Sequence, residues 1–182
     1  MEQGLKVLYG PDFSSLLERV IEIDRKTLPA EYVTSPEKLE QRYAANPESF
    51  IGVARGGDLL GYINFFPIHE TALRNIMKGR MDNDITLGAA DVLPYSETQH
   101  RDLYIITVAV LPEWQNTDVI RIIKREFREF IREKMNRRVL IRDLYASVVS
   151  DDGDRFLRSL SFHPLKENPS CYTTAAENFL NC

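Results

Sequence analysis

The run LYIITVAVL, residues 103–111, is almost wholly apolar, so a strand built from it has to be buried on both faces. Such a strand belongs at the centre of a sheet with helices packed above and below. The sequence that follows agrees. After LPEW and a short polar stretch comes DVIRIIKREFREFIREKMN, with Val119, Ile122, Ile123, Phe127, Phe130, Ile131 and Met135 on one helical stripe. A buried strand that passes through a short loop into an amphipathic helix commits the chain to an α/β fold. It also marks a place where many proteins hold a phosphate, on the free N–H groups of the helix's first turn. Loops of that kind usually carry glycine, yet none occurs between Leu111 and Ile123.

The other segments arrange themselves around this unit. LKVLY (5–9) reads as a first strand, and DFSSLLERVIEIDRKTL (12–28) as a helix with Phe13, Leu16, Leu17, Val20, Ile21 and Ile23 near helical spacing. A second helix starts at SPEKLEQRYAAN, with Ser35 as N-cap and Pro36 at the first helical position. FIGVARGGDLLGYINFFPI (50–68) is a hairpin turning at Gly56-Gly57-Asp58. Beyond the long helix lie a strand in VLIRDLYASVVS (139–150), a short helix in DDGDRFLRSL (151–160), a turn at SFHPL and a closing strand. The expected fold is a single α/β domain over 1–182, a central mixed sheet flanked by helices on both faces.

Residues 69–101 form an insertion. HETALRNIMKG predicts a short helix ending at Gly79, and the remainder is rich in turn residues. Leu73, Ile76, Met77, Ile85, Leu87, Val92, Leu93 and Tyr95 make it too apolar for a disordered linker. It is expected to fold back as a wall on the acceptor side or as a homodimer contact.

Composition removes several classes. A formal charge of −4 argues against nucleic acid or an anionic membrane as partner. The helix 121–138 holds eight basic and three acidic residues, but Glu126, Glu129 and Glu133 interleave as intrahelical partners, which describes a solvated face. No apolar run approaches the roughly 18 residues that span a bilayer, and MEQGLKVLYG lacks the layout of a secretory signal. Cys171 and Cys182 leave a disulfide open but do not make a disulfide scaffold, and they show no metal-ligand spacing with His69, His100 or His163. No metal site is expected, and the cytoplasm is the default location.

Two local sequences carry a family likeness. VAVLPEWQNTDVI places Val108, Ala109, Val110, Pro112, Trp114 and Gln115, and SDDGDRFLRSLSF (150–162) places Arg155, Phe156, Leu160 and Phe162, as in the GNAT superfamily of N-acetyltransferases, which the chain resembles over about residues 4–165 apart from the insertion. The resemblance implies an acyl-CoA site: Val108, Ala109 and Val110 offering backbone groups to the pantetheine amides, and Gln115, Asn116, Thr117, Asp118, Val119 and Ile120 forming the diphosphate loop. Asp118 and Ile120 occupy that loop's glycine positions, Ser150 stands for an Asn, Leu157 for a Tyr that often protonates the departing thiolate, and Ser161 for a Gly. A carboxylate about 4 Å from a phosphate costs roughly 1 kcal/mol when water-screened and about 4 at a partly buried site, so weak acetyl-CoA binding is expected. The plain alternative is that Asn116, Thr117 and Asp118 only cap the helix.

For proton transfer, Tyr104 and Asp102 share one face of the central strand by period two, with His100 beside them; Ser150 and Tyr172 are further donors. No cysteine lies in either motif, which points to direct attack of an amine on the thioester. The sequence therefore predicts N-acetyl transfer to a small-molecule or protein amine. The rival is a GNAT-fold binding or regulatory module that has lost catalysis.

Overall fold

The computed structural model describes residues 4–80 and 86–181. Its seven strands form one sheet in the order β1-β2-β3-β4-β5-β7-β6. They are β1 Leu5–Tyr9, β2 Phe50–Arg55, β3 Asp58–Pro67, β4 Arg101–Val110, β5 Ile141–Ser147, β6 His163–Pro164 and β7 Cys171–Ala175. Only β4 and β5 run parallel, joined by the long helix α4, Asp118–Asn136; all other neighbours are antiparallel. The sheet is mixed and carries helices on both faces, as the sequence predicts.

Helix α4 covers one face. Val119, Ile123, Phe127 and Ile131 recur every fourth residue, are fully buried, and pack with Ile51, Val53, Ile63 and Phe65. Phe127 sits with its ring centroid 4.6 Å from Phe65 and 5.2 Å from Phe179, the latter on α6, Ala176–Leu180. Each such side chain contributes about 1.5–3 kcal/mol by leaving water. The opposite face is covered by α1 (Leu17–Thr27), α2 (Pro36–Ala45) and α3 (Glu70–Met77), which bury Val20, Ile21, Ile23 and Leu39 against Phe50 and Tyr62, and Leu73 and Ile76 against Phe66 and Tyr104.

Local signals explain most boundaries. Ser35 Oγ accepts from the Lys38 N–H and caps α2. Gly56 and Gly57 both take positive φ, 62° and 98°, which a two-residue β2–β3 turn requires. The helix expected over 12–28 is shorter than its apolar spacing suggests: Gly10–Ser15 is a 3-10 turn with Pro11 in its first turn, and α1 begins only at Leu17. The strand expected over 139–150 keeps only Ile141–Ser147, and α6, only five residues long, was not foreseen.

The insertion folds back. Leu73, Ile76, Leu87 and Val92 are buried, Ile68 bridges Val92, and the His69 N–H donates to the Asp91 carbonyl. Ile85 and Cys182 lie outside the described residues. No helix among the described residues is long and apolar enough to cross a membrane.

Candidate functional site: the cleft between two diverging strands

β4 and β5 pair from Arg101–Ile141 to Ile105–Ala146, and no further pair forms between them. β4 continues to Val110 along β3, while β5 ends at Ser147 and is held on its other edge by β7. A β-bulge helps separate the strands: Phe65 faces Ile105 and Asn64 faces Thr107, so Ile106 is an extra residue. Both Ile106 and Thr107 then lie on the face of α1 and α3, Ile106 against the Phe66–Tyr104 cluster and Thr107 lining the cleft.

The result is a cleft of about 410 Å³, inside the range of small-molecule sites. Its walls are the divergent ends of β4 and β5, the start of α4, helix α5 (Asp151–Arg158) and the segment after α1, represented by Thr27, Leu28 and Tyr32. The Leu111 N–H donates to the Leu60 carbonyl on β3. Antiparallel alternation therefore turns the backbone groups of Val108 and Val110 away from β3, towards the cleft. The Val110 carbonyl accepts from Gln115 Nε2 at 3.2 Å.

The glycine-free loop caps α4 and also contributes to the wall of the cleft. Thr117 caps α4: its Oγ accepts from the Val119 N–H at 3.3 Å and donates to the Trp114 carbonyl at 2.7 Å. Gln115, Asn116 and Ile120 line the cleft. No residue from 111 to 120 has a positive φ, so this loop adopts no conformation that calls for glycine. Asp118 is ion-paired with Arg121 on its own helix and does not line the cleft, contrary to the picture of a carboxylate facing the diphosphate. Two cations do line it. Lys124 Nζ donates to Ser159 Oγ at 2.6 Å, and burial, with Arg128 adding to it, lowers its pKa. Arg155 is paired with Asp152 on α5.

The structure brings Val108, Ala109, Val110, Gln115, Asn116, Ile120 and Ser150 to the cleft. It does not bring Thr117, Asp118 or Val119, the last being fully buried under α4. Asp102 is 8% exposed and bonded through both oxygens to Arg142, at 2.9 and 2.5 Å, which removes it from the cleft. Tyr104 is buried too and touches the cleft's wall through Ser147, whose Oγ accepts from the Tyr104 hydroxyl at 2.7 Å. Ser150 lines the cleft while its Oγ caps α5, accepting from the Gly153 N–H at 3.1 Å. Tyr172 is engaged with Asp154 and Arg158. Leu157 is buried and also forms part of the wall. Among the described residues none from 69–101 lines the cleft; those that are buried pack against Phe66 and Tyr104 on the neighbouring sheet face. Sequence reasoning passed over Ser147 and Thr107, each a lone hydroxyl near the end of an apolar run.

The family model of the GNAT acetyltransferases matches residues 17–150. No curated protein matches the sequence significantly. Among solved structures, the loading GNATL domain of CurA from Lyngbya majuscula superposes with a TM-score of 0.64 at 12% identity, covering 94% of this chain and 96% of that one. Arabidopsis thaliana Naa50 in complex with the bisubstrate analogue CoA-Ac-MVNAL gives 0.61 at 12%, covering 94% and 97%. The PaiA N-acetyltransferase of Thermoplasma acidophilum in complex with coenzyme A gives 0.58 at 14%, also covering 94% and 97%. At such identities the structural likeness shows the fold. With the family model matching most of its length, the chain belongs to the GNAT acetyltransferase family.

Proposed function

We propose that the cleft binds an acyl-CoA, acetyl-CoA in the simplest case, and that an amine entering past Thr27, Leu28 and Tyr32 takes the acyl group by direct attack. The observation that carries this reading is the opening of β4 from β5 directly onto the start of α4, with Lys124 and Arg155 on its walls. The backbone groups of Val108 and the N–H of Val110 suit the amides of the donor arm as an added strand would, the Val110 carbonyl being held by Gln115. The first turn of α4 and Lys124 suit a diphosphate, Arg155 being matched by Asp152 on its own helix. The bound thioester supplies the activated acyl carbon. Ser147, with Tyr104 behind it, is the hydroxyl placed to return a proton to the departing sulfur, and Ser150 is a second donor beside it. The reading keeps the protein a single cytoplasmic domain whose acceptor is a small-molecule or protein amine.

Calorimetry with acetyl-CoA tests the site. Binding in the micromolar range, weakened about ten-fold by Lys124→Ala, is expected; loss of one charge-assisted contact of about 1.4 kcal/mol corresponds to that factor. No binding at millimolar acetyl-CoA overturns the reading. A second reading, a module that binds without turnover, is favoured by Leu157: it occupies the place of the family's thiolate-protonating Tyr and lines the cleft with no proton to give. Binding without thiol release across a panel of primary amines selects it.

A further inference from the structure

The Ser147 hydroxyl, on the cleft wall at the end of β5, is tied to a row of groups behind it. Period two along β5 puts Tyr145 and Ser147 on one face. Tyr145 is paired with Tyr104 on β4, and the Tyr104 hydroxyl reaches one step on to Ser147 Oγ, at 2.7 Å. On the other edge of β5, Ser147 stands opposite Cys171 of β7, its Oγ 3.6 Å from the Cys171 sulfur. Cys171 is 4% exposed and packs in the cluster of Phe66, Leu73, Ile76 and Tyr104.

The direction of each bond follows from what each group can give. The Ile76 carbonyl, in the last turn of α3, only accepts, so the Cys171 thiol donates to it, at 3.8 Å. Asn168 has its side-chain oxygen engaged by the Ser170 N–H, and its Nδ2 donates to the Cys171 sulfur at 3.3 Å. The thiol hydrogen is thus committed to Ile76, and towards Ser147 the sulfur can only accept. Tyr104 donates to Ser147 Oγ, which leaves the Ser147 hydrogen to the Cys171 sulfur or to the cleft. The row runs one way, from Tyr104 through Ser147 to Cys171. A neutral sulfur is a weak acceptor, and an oxygen in its place would hold the same hydrogen more firmly. A thiolate differs, because hydrogen bonds to an ionised acceptor are roughly twice as strong.

We propose that Cys171 positions the Ser147 hydroxyl by holding its hydrogen on a weak sulfur acceptor, from which it turns to the coenzyme's sulfur as that sulfur departs. The inference rests on the acyl-transfer reading of the cleft. As the amine nitrogen bonds the acyl carbon, the carbon–sulfur bond breaks and its electron pair leaves on sulfur. The Ser147 proton passes to that sulfur and the Tyr104 proton to Ser147 Oγ, while the proton shed by the nitrogen goes to solvent. After the thiol departs, water returns a proton to Ser147 and, through it, to Tyr104. The new bond forms only as charge develops on the leaving sulfur, and the bond it replaces is weak, so the exchange favours the transition state over the ground state. Cys171 acts through Ser147 and is a positioning residue.

The test uses the full chain with acetyl-CoA and a tetrapeptide bearing a free N-terminal amine. Turnover is followed by loss of the thioester absorbance, and acetyl-CoA affinity by calorimetry. Cys171→Ser puts a stronger oxygen acceptor in the same place and should lower kcat about ten-fold, with KM and acetyl-CoA affinity held within about two-fold. Cys171→Ala leaves the hydroxyl unheld, and its kcat should fall between the parent's and that of Cys171→Ser. A purely structural role gives the opposite order, because serine keeps the volume and the hydrogen bond where alanine opens a cavity. In a Ser147→Ala background the two Cys171 variants should agree in kcat within about two-fold, since the hydroxyl they act through is gone. Infrared spectroscopy supplies a readout without turnover or any change at 171. In a chain carrying Cys182→Ser, Cys171 is the one remaining thiol, and its S–H stretch should shift on Ser147→Ala as the sulfur loses a donor. Cys171→Ser as fast as the parent with Cys171→Ala slowest, a kcat gap that persists without the Ser147 hydroxyl, or an S–H stretch unmoved by Ser147→Ala overturns the inference. A parent that binds acetyl-CoA but consumes no thioester overturns it too and leaves the cofactor site standing. A parent that does not bind overturns the site reading itself, and this inference with it.

Discussion

Asp118 and Arg121 form an ion pair one turn apart on α4, and the pair lies outside the cleft that the same helix helps to build. A carboxylate whose charge is already matched on its own helix, and which does not face the ligand, has little effect on a diphosphate held elsewhere on that turn.

Asp118→Asn is therefore expected to change acetyl-CoA affinity by less than about three-fold, where a facing carboxylate would have cost roughly 1–4 kcal/mol. The same substitution should cost about 0.3–1 kcal/mol of stability, because Asp118 opposes the positive end of the α4 dipole. Calorimetry and urea unfolding on one preparation measure both. A large gain in affinity would put the carboxylate back against the phosphates.

Asp102 serves the sheet and not the chemistry. It spans β4 to β5 through Arg142, with its own carboxylate buried and the arginine largely exposed. Arg142→Ala leaves that carboxylate without its cation and is expected to cost about 1–3 kcal/mol, less than a fully buried pair because water reaches the site. Asp102→Asn should lower the unfolding midpoint with kcat/KM for thiol release within about three-fold. A hundred-fold loss of rate at unchanged stability would return Asp102 to the catalytic set.

Ser161 shows how far a sequence match can be followed into backbone geometry. It stands where the family pattern has glycine, and it is in the left-handed region at φ 61°. The Phe162 N–H returns to the Leu157 carbonyl at 3.1 Å, which closes the end of α5 as a left-handed C-cap does. Ser161→Gly is expected to stabilise the fold by up to about 1 kcal/mol by removing the cost of a Cβ at positive φ. Thermal unfolding of the variant measures it, and a lower midpoint would show that Ser161's side chain contributes more than its backbone costs.

What was legible in the sequence was what neighbours in sequence decide. The caps Ser35 and Thr117, the Gly56-Gly57 turn and the four-residue spacing of Val119, Ile123, Phe127 and Ile131 are local, and they placed α2, α4 and the hairpin to within a residue or two. The cleft's position followed from the buried strand and the helix after it. Its chemistry did not, because that depends on which distant side chains meet. Nothing local says that Asp102 finds Arg142, 40 residues on; the Asp118–Arg121 pair, by contrast, is the i,i+3 kind that helical spacing offers. Asp24 is the sharpest case: on α1 it reads as one more acid of a solvated helix, and only the approach of Tyr62, 38 residues away, makes it a buried group.

That burial leaves a mark on stability whatever the cleft does. The folded-state pKa of Asp24 is raised from 3.8 to about 7, chiefly by desolvation, against the opposing Tyr62 hydrogen bond and Arg42. The folded protein thus holds the proton more tightly than the unfolded chain. The stability this supplies is fully present below about pH 3.8 and is lost progressively as pH rises towards 7. Its ceiling is about 4 kcal/mol, because each tenfold gain in proton affinity on folding is worth about 1.4 kcal/mol. Asparagine mimics the neutral acid, keeps an acceptor for Tyr62 and does not ionise. Asp24→Asn is therefore expected to match the parent's stability near pH 4 and to exceed it by a few kcal/mol near pH 8. Urea unfolding at the two pH values decides the matter. A variant less stable than the parent at pH 8 would mean that the ionised carboxylate, held by Tyr62 and Arg42, is the form the fold prefers.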